Sequence, residues 1–316
     1  MKCKFLVIIA LFSMSCAITF GQVTEAEKNL RTQSADTTQG WKKGGIFAVN
    51  LAQTSLTHWA AGGQKSVAFN SLFSVFANLK QGKSRWDNSL DLGYGLMNQG
   101  DQGFRKTDDK IDFLSKYGRE AFKNFYYAAL FNFKTQMAPG YNYIDATTKE
   151  KISDLFSPAY LLLALGMDYK PNAYFSAFIA PVTAKFTFVT DTALSKAYGL
   201  KQGEKSLTEF GGYVRVIYSK NDFKNDFLKN VSFTSKIDLF SNYLKNPQNI
   251  VVNWENLITM KVNKYISASF ITDLIYDDKI KVPFDKNGDG IIAAGEAVGS
   301  KIQFKEILGV GFSYKF

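Results

Sequence analysis

The chain has 316 residues, of which 46% are hydrophobic, 15% aromatic and 21% charged, and its formal net charge is +10. One histidine and two cysteines exclude metal sites built from clusters of these residue types. The positive charge does not indicate a nucleic-acid partner, because the lysines are scattered through predicted turns and loops instead of forming one patch.

Residues 1–21 have the pattern of a secretory signal peptide. Lys2 and Lys4 precede an apolar run that begins at Phe5, and polar residues return at Gln22. This run is too short to anchor the chain in a bilayer, so we expect export and cleavage near Gly21. Both cysteines lie in this segment, and an exported chain without cysteine is stabilised either by a large soluble core or by a closed barrel in lipid.

Residues 22–40 are polar and predict a flexible periplasmic leader. From Trp41 onwards the pattern changes to alternation with period two. Leu90, Leu92 and Tyr94 share one face, for example, while Asp91 and Gly93 share the other. Strict alternation favours strands over helices, so residues 41–316 are predicted to form one β domain.

The same test predicts about twelve strands, most of them with at least the ~9–11 residues that a tilted strand needs to cross a bilayer. They are predicted at residues 44–54, 65–79, 85–98, 110–118, 123–136, 159–170, 173–188, 207–219, 229–243, 249–262, 265–279 and 301–316. Pro181 lies inside one of them, where it predicts a bulge because proline cannot donate a ladder hydrogen bond. The connections 145–158 and 190–200 are predicted to hold short helices.

Connection lengths alternate along the chain. If Phe316 lies on the periplasmic side, the periplasmic connections are 81–84, 119–122, 171–172, 221–228 and 263–264, and most are short. The extracellular connections then include 55–64, 99–109, 137–158, 189–206 and 280–300, and nearly all are long. Short periplasmic turns and long extracellular loops are typical of transmembrane antiparallel β-barrels, so we predict this all-β fold in the outer membrane of a Gram-negative cell, in contact with its lipid.

The last residues place Phe312, Tyr314 and Phe316 on one face of a strand. This aromatic tail resembles the C-terminal signal by which bacterial outer-membrane barrels are assembled. The resemblance implies that the barrel assembly machinery is a partner of this chain through the strand that ends at Phe316.

Four stretches resemble an uncharacterised outer-membrane family of the Bacteroidota, the domain of unknown function 3078. They are Trp59-Ala60-Ala61-Gly62-Gly63, Pro181-Val182-Thr183-Ala184-Lys185-Phe186-Thr187-Phe188, Val252-Asn253-Trp254-Glu255 with Met260-Lys261-Val262-Asn263-Lys264-Tyr265, and Gln303-Phe304-Lys305-Glu306 with the residues that follow to Phe316. The resemblance implies an outer-membrane β-barrel and brings no established catalytic residues.

Residues 285–296 match the twelve-residue calcium-loop pattern. Resemblance to the EF-hand loop implies that calcium would be held by Asp285, Asn287 and Asp289, by the Ile291 carbonyl and by Glu296. No helix pair is predicted around the loop, so the alternative is a hairpin turn that binds nothing. We expect weak, structural calcium binding on the cell surface.

His58 is the one histidine and would be needed by a serine hydrolase of the outer membrane. No matching serine motif accompanies it, so packing beside Trp59 is the preferred interpretation. The predicted inward faces also carry charged residues of both signs, which either pair with one another or line a narrow path. These residues are Asp87, Asp91, Lys134, Lys185, Arg215, Lys236, Asp238, Glu255, Lys261 and Asp273.

The sequence therefore predicts a non-enzymatic outer-membrane β-barrel that serves as a scaffold or as a component of an envelope assembly with other envelope proteins. A narrow pore or transporter for small solutes is the alternative, and a surface hydrolase is the third hypothesis.

Overall fold

The computed structural model describes residues 39–56, 64–100, 102–143, 148–172, 174–220, 222–226, 228–263, 266–284 and 298–315. Antiparallel strands make up almost all of the regular structure of this part of the chain, so the all-β, antiparallel prediction is confirmed. The strands are β1 Gly40–Thr54, β2 Ser66–Gln81, β3 Ser84–Gln99, β4 Phe104–Phe122, β5 Phe125–Thr135, β6 Gly140–Tyr143, β7 Lys149–Ser153, β8 Ala159–Tyr169, β9 Phe175–Phe188, β10 Ser206–Lys220, β11 Val231–Asn242, β12 Ile250–Lys261, β13 Ile266–Tyr276, β14 Val282–Pro283, β15 Val298–Gly299 and β16 Gln303–Lys315.

The long strands form one ring, in which each pairs with its two neighbours. The order is β1-β16-β13-β12-β11-β10-β9-β8-β5-β4-β3-β2, and β1 closes the barrel by pairing with both β2 and β16. The closing register places Ile46 opposite Lys315 and Val49 opposite Phe312. A closed ring leaves no unpaired strand edge, which is the requirement for a sheet in lipid.

The two ends of the barrel differ in their connections. The turn end carries residues 82–83, 123–124, 170–174, 221–230 and 262–265, and the loop end carries residues 55–65, 100–103, 136–158, 189–205, 243–249 and 277–302. Two predicted connections were wrong. Most of the predicted loop 99–109 and all of the predicted turn 119–122 belong to β4, because β4 pairs with β3 from Asn98 opposite Phe104 to Ser84 opposite Arg119.

The helix predicted in 145–158 was wrong, because β7 lies in this segment. The whole connection between β5 and β8 is residues 136–158. It contains a small hairpin of β6 and β7, in which Tyr143 lies opposite Lys149. Pairing with a neighbouring strand has overridden the helical spacing of the apolar residues. The helix predicted in 190–200 is confirmed as a 3-10 helix, η1 Thr192–Tyr198, which begins after the cap Asp191 and ends at Gly199, with a φ of 82°.

The bulge predicted at Pro181 is confirmed. Val182 lies opposite Leu165 and Ile179 lies opposite Met167, so β9 carries one residue more than β8 between these pairs. The pairing of β9 with β10 shifts at the same place. Proline has no backbone N–H to donate to the ladder. A bulge leaves its extra residue unpaired, so the ladder requires no donor at this position.

The outer face of the barrel is apolar. Exposed side chains in the middle of the strands include Phe113, Leu165, Ile179, Val182 and Phe270. Exposed aromatic residues lie near the turn end, namely Trp41, Trp86, Tyr117, Phe122, Tyr127 and Tyr218. An apolar band with aromatic side chains at its border is what the hydrocarbon core and interface of a bilayer favour.

Two outward tryptophans also satisfy their polar atoms within the barrel wall. The indole N–H of Trp86 donates to Ser115 Oγ at 2.9 Å, and that of Trp254 donates to Ser235 Oγ at 3.0 Å. These bonds remove the cost of placing an indole N–H and a serine hydroxyl in an apolar environment.

Candidate functional site

The barrel interior carries an apolar cluster, which we call the plug and define as Leu130, Phe178, Tyr213 and Phe240. All are buried, and Phe178 is 0% exposed. Leu162 and Val251 pack against this cluster. The plug residues come from β5, β9, β10 and β11, so the plug lies along one arc of neighbouring strands of the ring.

A bidentate ion pair lies next to the plug. Arg215 Nε lies 2.6 Å from Asp238 Oδ1, and Arg215 Nη2 lies 3.1 Å from Oδ2. The hydroxyl of Tyr213 donates to the same Asp238 Oδ1 at 2.7 Å. Lys236 pairs with Glu255 at 3.2 Å on the neighbouring strands β11 and β12.

A second cluster of charges lies between the plug and the turn end. Lys116 Nζ lies 2.6 Å from Asp168, and Lys170 Nζ lies 3.2 Å from Asp168 and 3.4 Å from Asp87. Ser176 Oγ donates to Asp168 at 2.7 Å. Lys116 of β4 reaches Asp168 of β8 past the intervening β5, so the two side chains meet within the lumen.

Most of the charged residues predicted to face inward are paired. In addition to the pairs above, Lys134 lies 3.5 Å from Asp112, Lys185 lies 3.5 Å from Glu209 and 3.4 Å from Asp277, and Lys305 lies 3.7 Å from Asp273. Asp91 accepts a hydrogen bond from Ser74, and Lys261 is exposed at the end of β12. Pairing across the lumen wall is therefore the arrangement observed.

Sequence reasoning missed Lys116, Asp168 and Glu209, as well as the plug. A weak signal existed, since Asp112 and Lys116 share one face of β4. The polar–apolar alternation of β4 was obscured, because apolar Leu114 lies on that same face and polar Ser115 lies on the other. The inward aromatic residues could not be separated from outward ones, because a plug and a lipid-facing band give the same residue types.

A chamber of about 480 Å³ lies on the loop side of the plug. Tyr213, Phe240 and Leu162 form its floor, and Val251 and Ile275 belong to its walls. Ile152, Ser153, Asp277 and Ile280, from two of the loop-end connections, contribute to its rim. A smaller polar cavity of about 80 Å³ lies on the other side, lined by Asp87, Asp91, Asp112, Lys116, Arg215 and Lys236 among others.

The rim of the chamber is held by contacts between two connections. Tyr198 Oη of η1 donates to the Ile152 carbonyl at 2.7 Å, and burial raises the pKa of Tyr198 to about 12. Lys151 pairs with Asp191 and lies 3.1 Å from Asp154. Hydrogen bonds from Lys151 and from the Ala193 N–H lower the pKa of Asp191, and the Leu155 N–H followed by Lys151 lowers that of Asp154.

Several predicted features lie outside the described residues. These are the signal segment, the leader up to residue 38, the stretch 59–63, His58, the calcium ligands Asp285, Asn287, Asp289, Ile291 and Glu296, and Phe316. Within the described part of the chain, no group of three or more His, Cys, Asp or Glu residues is arranged to hold a metal ion.

The fold and the site define a closed antiparallel β-barrel with an apolar outer face and an interior that holds an apolar cluster and paired charges. Within the described ranges, no helix is long and apolar enough to cross a membrane, a finding that does not bear on β-barrels. Residues 51–141 match the family described as Protein of unknown function (DUF3078), which confirms the resemblance for this part of the chain. The matched range contains the first of the four stretches that carried the resemblance.

Solved structures that are similar to the chain include three bacterial proteins. The translocator domain of the autotransporter NalP from Neisseria meningitidis is 11% identical, with 92% of this chain and 94% of that chain covered and a TM-score of 0.40. An outer membrane channel from Pseudomonas putida F1 is 10% identical, with 89% and 97% covered and a TM-score of 0.39. OmpT, an outer membrane protein of Vibrio cholerae, is 9% identical, with 87% and 97% covered and a TM-score of 0.30. No curated protein matches the sequence significantly.

Proposed function

We propose that the protein is an outer-membrane β-barrel whose lumen is closed to solutes, and that it acts as a non-enzymatic scaffold or component of an envelope assembly. The turn end then faces the periplasm and the loop end faces the outside of the cell. The closed ring and the apolar outer face support the membrane location, because lipid contact requires both.

The observation that carries the closed lumen is the plug together with its ion pairs. Leu130, Phe178, Tyr213 and Phe240 are buried inside the barrel, and Arg215 and Lys236 are buried as well. A water-filled channel would leave inward charges hydrated, whereas these charges are compensated by neighbouring carboxylates.

Release of small solutes from lipid vesicles tests this closure. Vesicles that contain the purified barrel are expected to retain a trapped dye as well as protein-free vesicles do. Rapid release of the dye from vesicles with the unmodified protein would contradict the proposal.

A narrow solute path is the second candidate function. It is favoured by the two cavities, because the chamber and the smaller polar cavity lie along one lumen with the plug between them. This function requires the plug to move. Dye release by the unmodified protein, at a rate that changes when Phe178 and Phe240 are replaced, would support a solute path over a scaffold.

The assembly role is tested by photo-crosslinking in intact membranes. A crosslinking residue at Leu155, which is exposed in the loop-end connection 136–158, is expected to give discrete adducts with envelope proteins. The matched control is Leu163, which is exposed on the lipid-facing side of β8. Adducts of equal pattern at both positions, or none at Leu155, would contradict an assembly role for the loop end.

Absence of enzymatic activity is part of the proposal and is tested through His58. Purified protein is expected to show no lipase or esterase activity. Activity that is lost on His58→Ala would contradict the non-enzymatic role and favour a surface hydrolase.

We also propose that residues 285–296 bind calcium through Asp285, Asn287, Asp289, the Ile291 carbonyl and Glu296. The pairing of β14 with β15, which places Val282 opposite Gly299, brings together the two ends of this segment and supports a closed loop. Added calcium is expected to raise the thermal stability of the parent protein, and Asp285→Ala or Glu296→Ala to abolish this shift. No shift at millimolar calcium, the weak range of extracellular loops, would contradict the site.

A further inference from the structure

The chamber at the loop end has the size and surface of a small-molecule site. Its volume of about 480 Å³ lies within the range of ligand pockets. Leu162 and Phe240 give it an apolar floor, and Val251 and Ile275 continue this surface along the walls. An organic molecule of modest size can therefore bury an apolar body there.

The acidic residues of the chamber are already engaged. Asp109 accepts hydrogen bonds from Lys106 and from the backbone N–H groups of Met137 and Ala138 at 2.7–2.8 Å. Asp238 is held by the fork of Arg215 and by Tyr213. Asp277 accepts the N–H of Lys279 at 3.0 Å and lies 3.4 Å from Lys185. These carboxylates are poorly placed to bind a cationic ligand.

Lys134 has donors to spare. Its Nζ lies 3.5 Å from Asp112, and the same Asp112 also accepts a shorter bond of 2.6 Å from Asn132. The side chain of Lys134 is 29% exposed in the chamber wall, so its ammonium has N–H groups that can reach a ligand.

Asn253 also lines the chamber, but it does not offer a second contact. Its side-chain oxygen accepts no hydrogen bond within the described part of the chain, yet it is fully buried, so a ligand in the chamber cannot reach it.

We propose that the chamber binds a small organic carboxylate with an apolar body. The carboxylate pairs with Lys134, and the apolar body lies on Leu162 and Phe240. This inference goes beyond the proposed function, because a ligand can bind whether or not the plug opens.

Fluorescence titration with dansylglycine tests the site, since this probe combines an aromatic body and a carboxylate. The barrel in lipid nanodiscs is expected to bind the probe saturably above the background of empty nanodiscs. Dansylamide, which lacks the carboxylate, is expected to bind at least about tenfold more weakly, as expected for loss of a charged hydrogen bond. Absence of saturable binding, or equal binding of both probes, would overturn the proposal.

Variants assign the roles within the chamber. Lys134→Gln is expected to weaken dansylglycine binding about tenfold, and Lys134→Arg to retain most of it. Lys201→Gln, a change at an 88% exposed lysine outside the chamber, is the matched control and is expected to have no effect. Each variant must keep the gel mobility of the folded barrel. Unchanged affinity in folded Lys134→Gln would overturn the carboxylate contact.

Discussion

Arg215 and Asp238 show how a charged pair is accommodated inside this barrel. The pair is bidentate, and Tyr213 donates a further hydrogen bond to Asp238, so both charges of the pair have partners. Removal of one partner costs much more free energy of folding than removal of both, because it leaves the other partner charged and buried.

Replacement of Arg215 alone is expected to destabilise the barrel strongly. Arg215→Met should lower the free energy of unfolding by about 3–5 kcal/mol, and the double variant Arg215→Met with Asp238→Leu should recover a large part of this loss. Urea unfolding in detergent micelles, followed by tryptophan fluorescence, measures both. The matched control is the exposed pair of Lys201 and Glu204, where Lys201→Met is expected to cost about 0.5 kcal/mol or less. An Arg215→Met cost as small as the control would show that the pair is not buried as described.

The exposed rim contacts predict a response to acid. The pKa of Asp191 and that of Asp154 are lowered in the folded protein, so the contribution of these contacts is present above the ordinary aspartate pKa and is lost as the pH falls through the folded value. The connection 136–158 is therefore expected to loosen below about pH 4.

A spin label at Leu155→Cys measures this loosening as an increase in label mobility between pH 7 and pH 3. Lys151→Gln is expected to give the mobile spectrum already at pH 7, because it removes the partner of both aspartates. A label at Leu244→Cys in the connection 243–249 is the control. Equal mobility of the Leu155 label at both pH values would contradict the acid-sensitive contact.

At the scale of the strand, β9 depends on a close approach to its neighbour. Gly166 of β8 lies beside the bulge at Pro181, and a Cβ at Gly166 would come within 2.6 Å of Ala180 Cα. Neither of these backbones can move without disturbing the hydrogen bonds of β8 and β9 with their other neighbours. The glycine is therefore required by the bulge.

Gly166→Ala is expected to destabilise the barrel by about 1–3 kcal/mol or to prevent its folding, as overpacking does. Gly118→Ala is the matched control, because a Cβ at Gly118 would meet its nearest neighbour at 3.6 Å, an ordinary contact. The fraction of heat-modifiable, folded protein on a gel after refolding into lipid measures both. Equal folding of the two variants would contradict the geometry of the bulge.

The strands were largely predictable and the interior was not, for a physical reason. Alternation indicates that the two faces of a strand lie in different environments, and this was enough to predict β3 and β11 as strands. It does not report which apolar side chain faces inward, so Phe178 and Phe240 of the plug could not be separated from lipid-facing residues. The β6–β7 hairpin was missed because strand pairing decided a segment whose local spacing was helical. Asp168, the ion-pair partner of Lys116, is distant from it in sequence, so this pairing can be inferred only once the order of strands in the ring is known.

At the scale of the whole molecule, the barrel combines an apolar outer face with an interior in which the plug borders two cavities. The chamber lies towards the loop end and is lined by Tyr213 and Phe240 of the plug, and the polar cavity lies towards the turn end and is lined by Leu130 of the plug. The proposed function follows from this arrangement: recognition at the loop end and no free passage of solutes, which is its central claim.

Planar-bilayer conductance of the purified protein tests this claim most directly. We expect no steady open level for the unmodified barrel, and a steady ohmic level for a folded variant that carries Leu130→Ala, Phe178→Ala and Phe240→Ala, because these changes remove most of the plug. A steady open level from the unmodified protein, equal to that of the variant, would contradict the closed lumen.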